Sequence, residues 1–210
     1  MKSIEKLIAR ELLQINAIKL NPANPFVWAS GWNSPIYCDN RKTLAYPSVR
    51  SDIRNAFCKL LKGEFPTANA IAGVATGAIA HGVLVANALD MPFSYVRSAP
   101  KGHGLTNLIE GEIKSGQKVV VIEDLISTGA SSLAAVEALR NAGCDVLGMM
   151  AIFTYGFPQA QLAFEKAGCK LVTLSNYEVL IPEAIEMNYV DSASLETLSK
   201  WRNSPETWNK

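Results

Sequence analysis

The chain has 210 residues, of which 49% are apolar and 19% are charged, so it is long enough and apolar enough to bury a core, and an intrinsically disordered chain is excluded. Lys and Arg number 20 and Asp and Glu number 19, which gives a formal net charge of +1. This balance does not point to nucleic acid as a partner, and any anion site must therefore be local.

The cysteine pattern and the N-terminus both favour a cytoplasmic protein. Cys38, Cys58, Cys144 and Cys169 are widely spaced, form no C-x-x-C pair, and with two His residues complete no common zinc pattern. We interpret them as small core side chains in a reducing compartment. The N-terminus carries an early acid, Glu5, and lacks the apolar segment of a secretion signal.

The first part of the chain is predicted to form two helices separated by a turn-rich segment. Apolar residues at helical spacing indicate a first helix, at Ile4, Leu7, Ile8, Leu12 and Ile15. Within residues 21–40, two apolar runs at 26–28 and 36–38 indicate two short strands flanking a loop. We expect residues 21–40 to form a small cap outside the main core, within a segment of about residues 1–45 that contributes this cap. The second helix is predicted over residues 49–61.

One uncharged stretch needs to be tested against a membrane span. Residues 65–89 contain no Asp, Glu, Lys or Arg and exceed the roughly 20 residues that a spanning helix needs. The stretch also contains Pro66, Asn69, His81 and Asn87 as well as several glycines. A buried strand, a glycine turn and a buried helix explain this mixture better, and we expect no membrane association.

The rest of the chain alternates between strand-length apolar runs and helical stretches. Strands are predicted at residues 70–74, 93–96, 119–122, 146–152 and 171–174. Helices are predicted at residues 79–89, 131–142 and 158–167. This alternation predicts an α/β fold with a central, mainly parallel sheet flanked by helices, in a single domain spanning residues 1–210. In such sheets ligands bind at the carboxyl ends of the strands.

The last segment, residues 191–210, carries a short amphipathic pattern at Leu195, Leu198 and Trp201. We interpret it as a helical turn and a half docked on the surface, with a structural role.

The strongest functional signal is a strand followed by two acids, a turn of small residues and a helix. The residues of this signal are Glu123, Asp124, Leu125, Ile126, Ser127, Thr128, Gly129, Ala130 and Ser131, directly after the apolar run 119–122. Backbone amides of residues 127–131 can converge at the helix N-terminus and bind a phosphate. The two carboxylates would repel a bare phosphate, so we expect them to face ribose hydroxyls or a metal. The alternative is a capped helix with ordinary surface acids.

A second signal is the long connection over residues 97–116. It concentrates Arg97, Lys101 and His103 in seven positions and contains four glycines. We expect a mobile lid whose cations close over an anionic substrate and exclude water. The alternative is a solvated surface loop without a role.

The third signal, residues 72–81, is again a strand, a tight glycine turn and a helix. Such a turn lets a ligand approach the backbone closely, but a purely structural turn explains the segment equally well. We expect His81 to be a core histidine. The chain has no G-x-x-x-x-G-K-[ST], G-x-S-x-G or H-E-x-x-H motif. The sequence therefore does not indicate a P-loop protein, a serine hydrolase of the G-x-S-x-G type or a zinc protease.

These three signals, in this order, resemble the type I phosphoribosyltransferases. The cap sequence over residues 30–41, the lid residues 101–104 and the acid-pair motif together are similar to the orotate phosphoribosyltransferases. The likeness covers nearly the whole chain, to about Ile181. It implies transfer of phosphoribose from phosphoribosyl pyrophosphate to orotate, with Mg²⁺, in pyrimidine biosynthesis.

The resemblance also implies roles for individual residues. Lys101, His103 and Asp124 would be catalytic, and residues 123–131 would bind the sugar phosphate, with Ser127 also reaching orotate. Together with Arg97, the lid cations would come from the neighbouring subunit of a homodimer and hold the pyrophosphate. The turn at residues 75–79 would contact pyrophosphate through its backbone. Mg²⁺ would bind mainly through substrate oxygens, so we assign it no protein ligand.

The sequence departs from the family at four positions. Ser98 and Ala99 stand where many relatives carry a lysine, Ala29 stands where some do, and Ala130 replaces the common second glycine of the phosphate turn. Arg41, Lys42 or backbone amides are candidates to substitute for the missing lysines. Two alternatives stay open: a phosphoribosyltransferase for another base, and a non-catalytic sensor of phosphoribosyl ligands. A phosphoribosyltransferase for another base would not need this cap and lid. A sensor would not need the lid cations.

Overall fold

A computed structural model describes residues 2–97 and 108–209. Its helices are α1 (Lys2–Gln14), α2 (Pro47–Glu64), α3 (Ile79–Leu89), α4 (Ala130–Asn141), α5 (Pro158–Lys166), α6 (Tyr177–Glu186) and α7 (Leu195–Asn203). Its strands are β1 (Ile18–Leu20), β2 (Phe26–Val27), β3 (Asn33–Ser34), β4 (Ile36–Cys38), β5 (Ala70–Val74), β6 (Phe93–Val96), β7 (Ile109–Glu110), β8 (Lys118–Ile126), β9 (Asp145–Thr154) and β10 (Leu171–Asn176).

The six strands β5–β10 form one sheet in the order β10-β9-β8-β5-β6-β7. All neighbouring pairs are parallel except β6 and β7, so the predicted α/β fold with a mainly parallel sheet is confirmed. Strand β8 lies inside the sheet and pairs with β5 on one side and β9 on the other. The carboxyl ends of β5, β6 and β8 therefore lie side by side.

Helices cover both faces of this sheet, as expected for strands that are apolar at successive positions. Along β8, Val120 and Ile122 belong to a core shared with α1, α2, α3 and α6. Val119 and Val121 belong to a second core with α4 and α5. The alternation of side chains along a strand thus serves two separate cores. No helix among the described residues is long and apolar enough to cross a membrane.

The N-terminal segment differs from the prediction in its pairing and its packing. Strand β2 pairs with β3, whereas β4 pairs with β1, so the two runs we expected to flank one loop belong to different two-stranded sheets. Ile18 and Ile36, in β1 and β4, are fully buried in the larger core. The expectation that residues 21–40 lie outside the main core is therefore wrong, because β4 buries Ile36 in that core.

The C-terminal helix α7 also packs more deeply than predicted. Trp201 is fully buried and its ring lies 5.4–5.7 Å from the rings of four other aromatic residues. These are Trp28, Tyr155, Phe157 and Tyr177. The tail beyond α7 reaches β3, where Asn33 Nδ2 donates to the Asn209 carbonyl at 2.7 Å. The segment is thus part of the core rather than a surface attachment.

The predicted lid, residues 97–116, overlaps the sheet. Arg97 donates its amide to the Leu108 carbonyl at 2.8 Å, and β7 pairs antiparallel with β6. Residues 98–107, which include Lys101 and His103, lie outside the described residues.

Replacing Trp201 by Ala tests the place of α7 in the core. We expect Trp201→Ala to lower the free energy of unfolding by about 3–5 kcal/mol, because a buried aromatic ring leaves a cavity. Leu195→Ala on the same helix is the control: Leu195 is 44% exposed, and we expect a loss below about 1 kcal/mol. Urea denaturation measures both. Equal, small losses in the two variants would place Trp201 on the surface.

Candidate active site

The ends of three neighbouring strands and the start of α4 enclose a cavity of about 310 Å³. We call it the strand-end cavity. Its lining comes from the turn after β5, the end of β6 and the end of β8, together with the first turns of α4. The lining residues are Val74, Ala75, Thr76, Gly77, Val96, Arg97, Leu108, Glu123, Asp124, Leu125, Ser131, Ala134 and Ala135. The acid-pair signal, the glycine turn and Arg97 of the lid signal therefore meet at one place.

The turn between β8 and α4 leaves the N-terminal amides of the helix open to a ligand. Gly129 precedes the helix with φ +83°, and a Cβ there would come within 2.8 Å of the Phe164 ring. No side chain accepts a hydrogen bond from the helix N-terminus. Because the first amides of a helix lack intrahelical partners and carry the positive end of the dipole, this turn is suited to an anion. Ser131, in the first turn of α4, lines the strand-end cavity.

Glu123 lies inside the sheet rather than beyond its end, because β8 continues to Ile126. Its carboxyl is buried and accepts hydrogen bonds from the Ser132 hydroxyl at 2.8 Å and from the Asp124 amide at 2.9 Å. Burial, and then the charge of Asp124, raise the pKa of Glu123 to about 8. Both effects favour the protonated form of the Glu123 carboxyl in the unliganded protein.

Asp124 is the more exposed member of the acid pair and is held from two sides. The buried Asn40 amide donates to the Asp124 carbonyl at 2.6 Å. On the other side, the turn after β5 packs so closely that a Cβ on Gly77 would collide with the Asp124 carboxylate. A larger residue at position 77 would displace the Asp124 carboxylate, so the turn lies directly against the acid pair.

A buried hydrogen-bonded chain extends from Asp124 to α3. The Thr43 hydroxyl donates to the Asn40 carbonyl at 2.6 Å and lies 2.9 Å from His81 Nε2. Burial, followed by the charge of Arg50, lowers the pKa of His81 to about 4, so the imidazole is neutral. His81 is thus a core histidine as predicted, although its Nδ1 has no hydrogen-bond partner in the part of the chain that the structure describes.

Arg97 supplies the described cation of the strand-end cavity. Its guanidinium lies 3.5 Å from the Glu110 carboxylate, on the neighbouring strand β7. Arg41 and Lys42, which we considered as substitutes for the missing lysines, have other contacts. Arg41 pairs with Asp39 at 2.6 Å, Lys42 donates to the Asn16 carbonyl at 3.1 Å, and neither lines the cavity.

A second cavity, of about 400 Å³, opens beside the first. We call it the cap pocket. It is lined by residues from the cap and from the ends of β8 and β9, namely Val27, Trp28, Ala29, Tyr37, Cys38, Leu125, Ser127 and Tyr155. Leu125 lines both cavities, so a ligand with an anionic part and a flat part can occupy the two at once. The missing lysine position, Ala29, lies in this pocket.

The nine positions of the acid-pair motif are not equivalent in the structure. The side chains of Glu123, Asp124, Leu125, Ser127 and Ser131 line one or both cavities. Ile126 is fully buried in the core, and Thr128 and Ala130 are exposed at the turn.

Sequence reasoning missed Tyr155 as part of the site, and it gave Asn40 and Ser132 no individual role although they lie in the cap sequence and beside the acid-pair motif. A lone Asn, Ser or Tyr carries no motif of its own. A larger cavity of about 530 Å³ lies between α5 and β10. None of the predicted site residues lines it, so it offers no comparable chemistry.

Comparison with known proteins agrees with this geometry. Residues 47–182 match the model of the phosphoribosyl transferase domain family. The orotate phosphoribosyltransferase of Porphyromonas gingivalis is 60% identical over 208 residues, which cover 99% of each chain. The family model omits the cap and α7, whereas this relative matches both.

Two solved structures are similar in fold. The orotate phosphoribosyltransferase of Aeropyrum pernix is 27% identical, with a TM-score of 0.75 over 87% of this chain and 99% of that chain. The UMP synthase of Leishmania donovani is 26% identical, with a TM-score of 0.79 over 94% of this chain and 42% of that chain.

The raised pKa of Glu123 predicts a dependence of stability on pH. The folded protein keeps this proton up to about pH 8, whereas the unfolded chain loses it near 4.5, so unfolding releases a proton between these values. The free energy of unfolding therefore falls as the pH rises from about 5 to about 8. The variant Glu123→Gln has no titratable group at this position. We therefore expect its free energy of unfolding to fall less between about pH 5 and pH 8.

Urea denaturation at several pH values measures the slope of each protein. Glu11, whose pKa is raised to about 7 by burial and by Asp52, contributes in the same range. The informative quantity is therefore the difference between variant and wild type. The exposed Glu206→Gln is the control and keeps the wild-type slope. An unchanged slope in Glu123→Gln would contradict a raised pKa at this carboxyl.

Proposed function

This chain belongs to the phosphoribosyl transferase domain family, and from its likeness to orotate phosphoribosyltransferases over its full length we propose that it is one of them. It transfers the 5-phosphoribosyl group from phosphoribosyl pyrophosphate to orotate. The products are orotidine 5′-monophosphate and pyrophosphate. The reaction belongs to the synthesis of pyrimidine nucleotides.

One observation carries this proposal beyond the family: the strand-end cavity and the cap pocket adjoin at Leu125. The first offers a helix N-terminus, an acid pair and Arg97, which suit a charged, hydroxyl-rich sugar phosphate. The second is lined mainly by aromatic and other apolar side chains, with the hydroxyl of Ser127 among them, which suits a planar base. The reacting carbon of the ribose would lie near the junction.

Each part of the sugar phosphate has a partner in this proposal. The amides and hydroxyls of residues 127–131 hold the 5′-phosphate, and Asp124 and Glu123 face the ribose hydroxyls. The turn at residues 75–79 contacts pyrophosphate through its backbone. Arg97, Lys101 and His103 bind pyrophosphate from the neighbouring subunit. Ser127 also contacts orotate, since it lines the cap pocket.

The chemistry explains why such groups are needed. A ring nitrogen of orotate forms a bond to C1 of the ribose and gives up its proton to solvent or to the leaving pyrophosphate, while the bond from C1 to the pyrophosphate oxygen breaks. Positive charge builds on the sugar and negative charge on the leaving group. Carboxylates near the ribose stabilise the positive charge on the sugar. The lid cations stabilise the negative charge on the leaving group, which is worth roughly several kcal/mol in the transition state. A closed lid keeps water from the activated sugar.

Mg²⁺ is proposed as the metal that accompanies phosphoribosyl pyrophosphate. In residues 2–97 and 108–209 no three His, Cys, Asp or Glu side chains come together to hold a metal ion by themselves. The hard oxygens of a pyrophosphate and of the ribose are suitable ligands instead. Mg²⁺ would neutralise charge on the leaving group, and we assign it no protein ligand.

We propose a homodimer whose subunits exchange lid residues. Helix α3 has no charged residue, and its Val83 is 44% exposed, beside the partly exposed Ala80 and Leu84. An apolar face of this kind is suited to a symmetric contact between two copies. The helix begins directly after the turn that lines the strand-end cavity. We also propose a cytoplasmic location, because all four cysteines are free thiols.

Substitution of Lys101 tests whether the protein is an enzyme or a sensor. We expect the wild type, with Mg²⁺ and phosphoribosyl pyrophosphate, to consume orotate and release pyrophosphate, with uracil and hypoxanthine unchanged. Lys101→Ala is expected to lose about 10²-fold or more of kcat, because it removes a cation from the leaving group. The exposed Lys114→Ala is the control and keeps its activity. Orotate absorbance and pyrophosphate release measure the reaction. Turnover of uracil or hypoxanthine instead of orotate would overturn the assignment of orotate as the base. No turnover of any of the three bases would favour a non-catalytic sensor.

Mixing two inactive variants tests the shared site. Lys101→Ala and Asp124→Asn alter residues that we place on opposite sides of the subunit boundary. Random exchange gives about half heterodimers, each with one intact site, so we expect about a quarter of the wild-type activity to return. Mixing Lys101→Ala with His103→Ala, two lid variants, is the control. Their heterodimer has no intact lid, and we expect no recovery. Absence of recovery in both mixtures would place lid and acid pair in the same subunit.

A further inference from the structure

A buried tyrosine at the end of β9 lines the cap pocket without a hydrogen bond from its hydroxyl. Tyr155 is 2% exposed, and it lines the pocket together with Ser127, Cys38 and Tyr37. Among the described residues, the Tyr155 hydroxyl forms no hydrogen bond, and it is not one of the enclosed polar atoms without a partner. It is therefore open to the pocket that the residue lines, where a ligand can bond to it.

The position of the ring is fixed on every side. Tyr155 contacts Trp28 at 5.0 Å, Phe157 at 5.4 Å, Trp201 at 5.7 Å and Phe153 at 5.8 Å between ring centroids. These rings come from the cap, from β9 and the residues after it, and from α7. These four ring contacts hold the tyrosine side chain in the wall of the cap pocket.

The backbone of Tyr155 is fixed as well. Its amide donates to the Ile126 carbonyl at 3.2 Å, at the end of β8, and its carbonyl accepts from Arg202 Nε at 3.3 Å. The Thr154 hydroxyl donates to the same Ile126 carbonyl at 3.3 Å. The tyrosine is thus tied to the strand that carries the acid pair. A group held in this way is preorganised for a ligand.

The hydroxyl is a donor at neutral pH. Burial, followed by the nearby Cys38, Tyr37 and Asp124, raises the pKa of Tyr155 well above its usual value. Phenolate is therefore not formed in the working range. The partner that this hydroxyl lacks is an acceptor, and a pyrimidine with ring carbonyls and a carboxylate presents several acceptor oxygens.

We propose that the Tyr155 hydroxyl is a recognition group of the cap pocket, which donates a hydrogen bond to an acceptor oxygen of the pyrimidine base. This inference rests on the proposed function, since it identifies a contact to the base within the same site. It also gives α7 a role in binding, because Trp201 holds the ring of Tyr155 from behind.

Two Tyr→Phe variants test this proposal. Tyr155→Phe keeps every ring contact and removes only the hydroxyl, so we expect the KM for orotate to rise about 10-fold or more, as for one hydrogen bond to a strongly polar group. The KM for phosphoribosyl pyrophosphate stays within about 2-fold, and the free energy of unfolding does not fall, because the lost hydroxyl has no protein partner. Steady-state kinetics and urea denaturation supply these values.

Tyr177→Phe is the matched control from the same aromatic cluster. The Tyr177 hydroxyl donates to the Leu198 carbonyl at 3.1 Å, and the residue does not line the cap pocket. We expect this variant to be less stable and to keep the KM for orotate. An active wild type with an unchanged KM in Tyr155→Phe, or equal rises in both variants, would overturn the inference alone. A wild type that does not use orotate would overturn the proposed function and this inference with it.

Discussion

The site depends on strand β8 keeping its ladder on both sides up to the point where the acids are needed. Its pairing with β9 continues through Ile126, four residues beyond its last contact with β5 at Ile122. Over these residues successive side chains point in opposite directions, so Glu123 is buried while Asp124 is free to face the strand-end cavity. Leu125 then separates the two cavities, and the turn at residues 127–129 begins α4. A shift of one residue in this register would exchange the two acids.

The base side of the site depends on contacts between parts of the chain that are far apart in sequence. Asn40 bonds to Asp124 across 84 positions, and Arg202 bonds to Tyr155 across 47. The cap, the end of β9 and α7 meet in one aromatic cluster around Trp201. Because the cap shares the main core, its position is coupled to the stability of the whole domain. Under the proposed function, a planar base would therefore bind against aromatic side chains whose positions are fixed before binding.

This difference in range explains what could be predicted from the sequence. The strands at 70–74 and 93–96 and the helix at 79–89 agree with the structure to the residue, since their apolar runs and glycine turns are local signals. The convergence of the three motifs followed from the rule for parallel sheets. In contrast, the pairing of β4 with β1 and the burial of Trp201 depend on packing partners that no local pattern identifies. Helix α6 and strand β7 were missed, because β7 is only two residues long and α6 follows β10 without a turn signal.

The charge of the acid pair can now be weighed against its anionic ligand. Two ionised carboxylates beside a phosphate nest would repel the substrate, and burial removes one of these charges by keeping Glu123 protonated. The Glu123 carboxyl accepts hydrogen bonds from the Ser132 hydroxyl and from the Asp124 amide. It therefore orders the end of β8 in its protonated form as well. The carboxyl of Asp124 lines the strand-end cavity. Arg97, the cation that the described residues bring to this cavity, is already close to Glu110. Under the proposed function, the pyrophosphate leaving group would therefore depend on cations that come with the substrate or from the lid.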